Sequence, residues 1–262
     1  MSYTYQLATS DLWTPANLTG GMSAWFDAAD TASIVSSGGS VSQWKDKSGN
    51  GHHAVQGTVA SQPTTGVDTL NGLNVLTTNG NDSMKADYSI FNSRVTMNAT
   101  VIIVFKTDIN DTSFEGVFGG CNGAAFSYVE IGVSGGNRAP RVNSRSTPSL
   151  DSLSYVTANF YTSAGIVVAQ TTPTTLDVWA NGDLQSTLST STMTATVNVG
   201  GINIGHRDAG STGGLIGQLA EVIVLQDIVL SATDRQLIEG YLRKKWGTTL
   251  ISGHPYETNS PY

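Results

Sequence analysis

Cysteine is almost missing from this sequence. Cys121 stands alone, so no disulfide can form within the chain and packing must hold the fold together. Charge is scarce as well: Asp, Glu, Lys and Arg make up 13% of the residues, against roughly 25% in an average soluble domain. What charge there is leans acidic, with 20 acidic against 13 basic side chains and a net charge of −7. Phosphate binding needs concentrated Lys and Arg, so no nucleic-acid partner is expected. No run approaches the ~18 apolar residues of a membrane span, so membrane insertion is not expected either. The opening MSYTYQLATSDLW has neither the basic nor the apolar stretch of an export signal. As it stands, the chain is expected to be made in a cytoplasm and not to be exported by the ordinary route.

Ser, Thr, Asn and 29 glycines take the place of the missing charge. That composition suits short strands joined by many turns. The 262 residues fit one all-β unit, since sandwiches routinely use about 200–250 residues. Residues 22–27 alternate as a first strand, with Trp25 and Asp27 on one face and Ala24 and Phe26 on the other. Residues 71–84 read as two strands around a turn at Asn79-Gly80-Asn81-Asp82, and residues 99–106 as a central strand buried on both faces. Further strands are expected at 114–120, 125–133, 155–161 and 165–170. Between them, residues 135–150 read as a long polar loop. Asn181-Gly182 between alternating segments predicts a hairpin with a type I′ turn.

The most informative stretch is the last. Residues 217–225 are dense in Ile, Val and Leu, as a buried strand would be. Ser231 followed by Asp234 forms an acidic capping box, and Gly247 supplies a stop, so a helix is predicted over 232–246. Leu237, Ile238, Tyr241, Leu242 and Trp246 would line its packed face. Arg243, Lys244 and Lys245 in the last turn suit the helix dipole.

Two segments carry a family resemblance. Ala-Glu-Val-Ile-Val (220–224), the Leu-Ser helix start (230–231) and Ile-Glu-Gly-Tyr-Leu with Lys-Trp-Gly (238–247) resemble the C-terminal end of bacterial and phage laminin-G-like domains. Trp44-x-Asp46-x-Ser48-Gly49-Asn50-Gly51-x-x-Ala54 matches the same family. These domains belong to the concanavalin-A-like lectin/glucanase superfamily. The resemblance implies an all-β fold: a two-sheet antiparallel jelly-roll sandwich with one C-terminal helix packed on it. It also implies glycan binding or an adhesive, structural role. The expected organisation is a lead-in or arm at 1–21, the sandwich at 22–250 and a tail at 251–262 that lies over the surface or grips a neighbour.

The superfamily's glucanases carry Glu-x-Asp-x-x-Glu on one strand, which is absent here, and Glu130, Glu115 and Glu221 have no carboxylate two residues away. A non-enzymatic role is therefore expected, with a glycoside hydrolase or a carbohydrate-binding module of a secreted bacterial protein as the alternatives. Many laminin-G-like domains hold one Ca²⁺, so calcium is a possible cofactor; the oxygen ligands near turns are Asp27, Asp30, Asp46, Asn81, Asp82, Asp108 and Asp111. Asp46 could equally receive backbone N–H groups from the turn at 48–51. His52, His53, His206 and His254 have no zinc-ligand spacing.

A glycan surface needs an exposed aromatic platform beside planar hydrogen-bonding groups. Trp25, Trp44, Trp179 and Trp246 fall on expected core positions, and Trp13 is expected to anchor the lead-in. The candidates left are Tyr128, Arg138, Arg141, Asn143, Arg145, His206, Arg207 and Asp208. The three arginines of the 138–145 segment could meet an acidic sugar or a partner subunit. The expected role is a phage virion protein, either a tail-associated receptor-binding element or a capsid decoration protein. It would dock on other virion proteins through its arms, with host surface glycan as a further partner and a homo-oligomer as a possible state.

Overall fold

The computed structural model describes residues 13–18, 21–87, 90, 98–110, 113–120, 129–134, 139–145, 150–155, 159–189, 201–206 and 213–261, excepting the side chains of 120, 134, 139, 143–145 and 150–155. Its strands are β1 (Met22–Asp27), β2 (Ile34–Ser37), β3 (Ser40–Trp44), β4 (Ala54–Val55), β5 (Thr64–Leu70), β6 (Leu73–Asn79), β7 (Met84–Ala86), β8 (Ala99–Thr107), β9 (Glu115–Gly120), β10 (Glu130–Ser134), β11 (Ala139–Arg145), β12 (Leu150–Tyr155), β13 (Gly165–Thr171), β14 (Thr175–Ala180), β15 (Asp183–Ser189), β16 (Ile202–Ile204) and β17 (Ile216–Gln226). One helix, α1 (Ala232–Trp246), follows them.

Every strand pairing is antiparallel. One layer runs β15-β14-β13-β8-β17, and the far edge of β17 takes β6 along its first residues and β1 along its last. The other layer runs β3-β4-β7-β16-β9-β10-β11-β12. β5 pairs with both β6 and β3, so the ladder curls from one layer into the next. This is an all-β sandwich with one helix.

The register explains why the middle of the first layer reads as an unbroken apolar run. Phe26, Val222, Ile103, Val167 and Ala180 lie side by side across β1, β17, β8, β13 and β14. The next residues along, Trp25, Ile223, Ile102, Val168 and Trp179, form a parallel row pointing the other way. The first row faces the sandwich interior, where Phe26 meets Trp44 with ring centroids 5.5 Å apart. The second row faces α1. Both faces of β8 and β17 are therefore buried, as residues 99–106 predicted.

Helix α1 begins where the cap was expected. The Ser231 hydroxyl accepts from the Asp234 N–H at 3.1 Å, and Gly247 takes the left-handed conformation at φ 70°. Its buried face differs from the expected stripe: Ile238, Tyr241, Leu242 and Trp246 are buried, Leu237 is only half-buried, and Glu239 and Gly240 are buried instead. Burying each large side chain is worth about 1.5–3 kcal/mol, which secures the helix to the sheet. Trp13 stacks edge-on against Tyr241 at 6.1 Å, so the lead-in is anchored on α1.

Two expectations change. Residues 135–150 are not a single polar loop, because 139–145 form β11 between β10 and β12. The strand expected at 155–161 ends at Tyr155, and Phe160–Ser163 bends to place the Phe160 ring against Phe105 at 5.0 Å. The tail lies over the surface of its own domain: Ile251 N–H donates to the Asn181 carbonyl, His254 is buried, and the Tyr256 ring sits so close over Gly240 that a Cβ there would be 2.6 Å away. Asn71-Gly72, both with positive φ, makes a second Asn-Gly hairpin between β5 and β6. Asn71 Nδ2 then donates to the Lys245 carbonyl at 2.9 Å, closing the C-terminal end of α1.

Candidate functional site

The ionisable groups fall into two kinds, those saturated by the fold and those left open. The largest saturated group lies between α1 and the sheet. Glu221 is fully buried on β17 and accepts from the Trp25 and Trp246 indoles, both at 2.7 Å, from the Tyr241 hydroxyl at 3.2 Å and from Lys245 at 2.7 Å. Lys245 also reaches Asp27 at 2.6 Å, and Lys47 bridges Asp27 at 2.8 Å and Asp30 at 3.0 Å.

Burial is the largest influence on Glu221 and raises its pKa; Lys245 pulls it back only in part, and Asp27 adds to the rise. Burial also pushes Asp27 up, yet Lys245 and then Lys47 together outweigh it, leaving Asp27 below its ordinary value. Lys47 is raised, because Asp27 and Asp30 overcome its desolvation. A second saturated group lies further along the helix. There Glu239 accepts from Arg235 at 2.6 Å and contacts His254 at 3.0 Å, while the Arg235 guanidinium lies 4.6 Å over Trp179. These are structural clamps, with both carboxylate oxygens of Glu221, Asp27 and Glu239 occupied.

Among the described residues the calcium candidates do not converge on a cation site. Both oxygens of Asp46 are taken, by the N–H groups of Trp25, Ser48 and His52 and the Ser48 hydroxyl, which is the turn role anticipated for it. Asp108 accepts from Lys106 and Gln218, and Asp82 from the Asn79 N–H at 3.0 Å. Burial raises the Asp82 pKa, and that one N–H only partly offsets it. Asp111 lies outside the described residues. Among the described residues no group of three or more His, Cys, Asp or Glu side chains is placed to hold a metal.

The open region is a cleft of about 720 Å³ at one rim of the sandwich, lined in part by Asn79, Asn81, Phe114, Glu115 and Arg141. Its floor is glycine backbone. Gly214 N–H donates to the Gly80 carbonyl at 3.0 Å and Gly116 N–H to the Gly213 carbonyl at 2.7 Å, while a Cβ would lie 2.8 Å from the Gly205 carbonyl oxygen at Gly214 and 2.7 Å from the Phe114 carbonyl oxygen at Gly213, so neither position has room for a side chain. Gly132 is the cross-strand partner of Arg141. A Cβ on Gly132 would lie 2.5 Å from the Phe114 ring, so only glycine admits that ring, and the Arg141 guanidinium stacks 4.7 Å over it. Arg141 Nε is buried without a hydrogen-bond partner among the described residues. Glu115 is buried and accepts from the Thr107 hydroxyl at 2.9 Å.

Of the glycan candidates, Arg141 is the one that the described residues place in this cleft, which the calcium candidate Asn81 also lines. His206 is buried with its ring against Gly214, beneath the cleft floor and away from solvent. Asn143 and Arg145 lie on β11, but their side chains are outside the described residues, as are Tyr128, Arg138, Arg207 and Asp208 altogether. Phe114 was missed as a site residue, having read only as the start of a strand, and Glu115 was weighed only as a hydrolase carboxylate without a partner two residues away. The Asn79–Asp82 turn was legible, but its place at the rim was not.

No family model matches the chain, and no curated protein is similar to it in sequence. Solved structures are similar in fold. Domain 4 of AbnA, a GH43 extracellular arabinanase from Geobacillus stearothermophilus solved with arabinotriose, has a TM-score of 0.56 at 12% identity over 81% of this chain and 95% of that one. Trypanosoma rangeli sialidase with sialic acid has 0.58 at 14% identity, over 86% of this chain and 33% of the sialidase. The binding domain of botulinum neurotoxin DC with SialylT has 0.57 at 10% identity, over 88% and 55%. The fold is that of a lectin-like β-sandwich. The chain thus spans nearly the whole of the arabinanase domain but a third to about half of the other two.

Proposed function

We propose that this protein is a non-enzymatic glycan-binding module that receives a saccharide in the rim cleft. The observation that carries the reading is the cleft itself: an aromatic ring, an unsatisfied guanidinium and rim asparagines gathered on a rigid glycine floor. Glycan sites combine such planar donors with an aromatic wall, and here both stand on strands or their immediate ends. Two proteins of similar fold were solved with saccharides, arabinotriose and sialic acid, which supports the reading by analogy of fold. Glu115 is the sole carboxylate among the described cleft residues, whereas glycoside hydrolysis uses two.

The two sequence motifs favour a laminin-G-like domain of a phage virion, adhesive or decorative, docked through its terminal arms, residues 1–12 and 252–262, and surface-exposed on the particle. A glycan array run with and without EDTA tests the binding reading. Binding that survives EDTA supports the cleft, whereas loss of all binding in EDTA transfers the site to a calcium centre. Release of reducing ends from a bound glycan would make the protein a hydrolase. Deleting residues 1–12 or 252–262 should strip it from particles, and full occupancy by both truncated forms would remove the docking role.

A further inference from the structure

We propose that the cleft selects saccharides bearing a carboxylate, and that Arg141 is the residue that grips it. This rests on the glycan reading above and narrows its substrate class. Arg141 is the one cationic side chain among the described residues lining the cleft. It forms no ion pair among the described residues, and its buried Nε lacks an acceptor. Glu115 shares the cleft but is committed elsewhere, to the Thr107 hydroxyl and, at 3.4 Å, to the Ile216 N–H.

Buried guanidinium N–H groups are rarely left without acceptors, and a planar guanidinium fork matches a carboxylate through two parallel hydrogen bonds. The fork is also oriented in advance. Phe114 covers one face of the guanidinium, and the missing Cβ of Gly132 fixes where Phe114 lies. Stacking of this kind leaves the in-plane N–H donors free. The chain as a whole is acidic, at net charge −7, so a bound anion cannot depend on a diffuse positive field. Attraction has to come from the local group, and one substitution should therefore remove it.

Calorimetry on the full chain tests this with two matched pairs: trigalacturonate against its methyl ester, and 3′-sialyllactose against lactose. The acid member of at least one pair should bind more tightly than its neutral partner by on the order of tenfold or more. Arg141→Gln should erase that difference, and Arg141→Lys should restore only part of it, since an ammonium cannot make the paired contact. The acid–ester comparison on the unaltered protein needs no variant to fold. Equal binding of acid and neutral members, or an acid preference that survives Arg141→Gln, overturns the carboxylate assignment but leaves glycan binding standing. Failure of every acidic probe while neutral glycans bind on an array does the same. Failure of all glycans overturns both.

Discussion

The face of the sheet under α1 and the rim cleft both bury charge, and they treat it in opposite ways. Under the helix, Glu221 has four donors and Glu239 has Arg235 and His254. At the rim, Arg141 has an aromatic neighbour and an Nε with no acceptor. A saturated network can only hold the fold together, because a ligand would have to displace bonds already made. An unsaturated group held rigidly can gain bonds when a ligand arrives. The same contrast separates Asp46, whose oxygens are filled by its own turn and by the Trp25 N–H, from a metal ligand.

The strongest way to break this comparison is Lys245→Met. It leaves Glu221 and Asp27 buried without their shared cation, and stability should fall by about 3–5 kcal/mol; a urea midpoint near that of the unaltered chain would mean the network is not a clamp. Next is His254→Ala, which removes one partner of Glu239 and unpins the tail, at about 1–3 kcal/mol. Loosening should show first as faster amide exchange or proteolysis at 251–261. Ser231→Ala should cost about 1 kcal/mol through the lost cap, read as a modest drop in Tm.

A smaller and conditional effect comes from pH. Lys47 titrates above its ordinary 10.5 in the folded chain, so its contribution is fully present below 10.5 and is lost as pH rises through the folded value. Lys47→Met should remove that alkaline limb from a plot of stability against pH, and an unchanged limb would assign it to other groups. On the acid side, Asp27 and Glu221 oppose each other. Asp27, lowered from 3.8, contributes above that value and is lost as pH falls below it; Glu221, raised from 4.5, is relieved of strain by protonation. Least of all should be Arg141→Gln, which touches no saturated bond and gives up only the stacking on Phe114, so stability should move by about 0.5–1 kcal/mol at most while binding is lost.

Local signals carried much of the fold. The cap at Ser231, the stop at Gly247, the Asn181-Gly182 hairpin and the two-faced burial of β8 were all legible, because each depends on a residue and its near neighbours. The Asn71-Gly72 hairpin was equally readable and was passed over within an expected strand. Residues 139–145 were less so: Arg, Asn and Ser there lack the alternation of apolar side chains, and it is pairing with β10 and β12 that makes them a strand.

What the chain alone determined is therefore the class of the fold and the helix with its ends. Only the tertiary structure decided which charges are bound and which are open. Glu221 meets Trp25 and Asp27 meets Lys245 across separations of nearly two hundred residues or more, and Phe114, Gly132 and Arg141 come together only through the register of three strands. Sequence spacing encodes which residues share a face, but whether a buried charge finds its partner depends on contacts between distant strands, and that is where site and scaffold part.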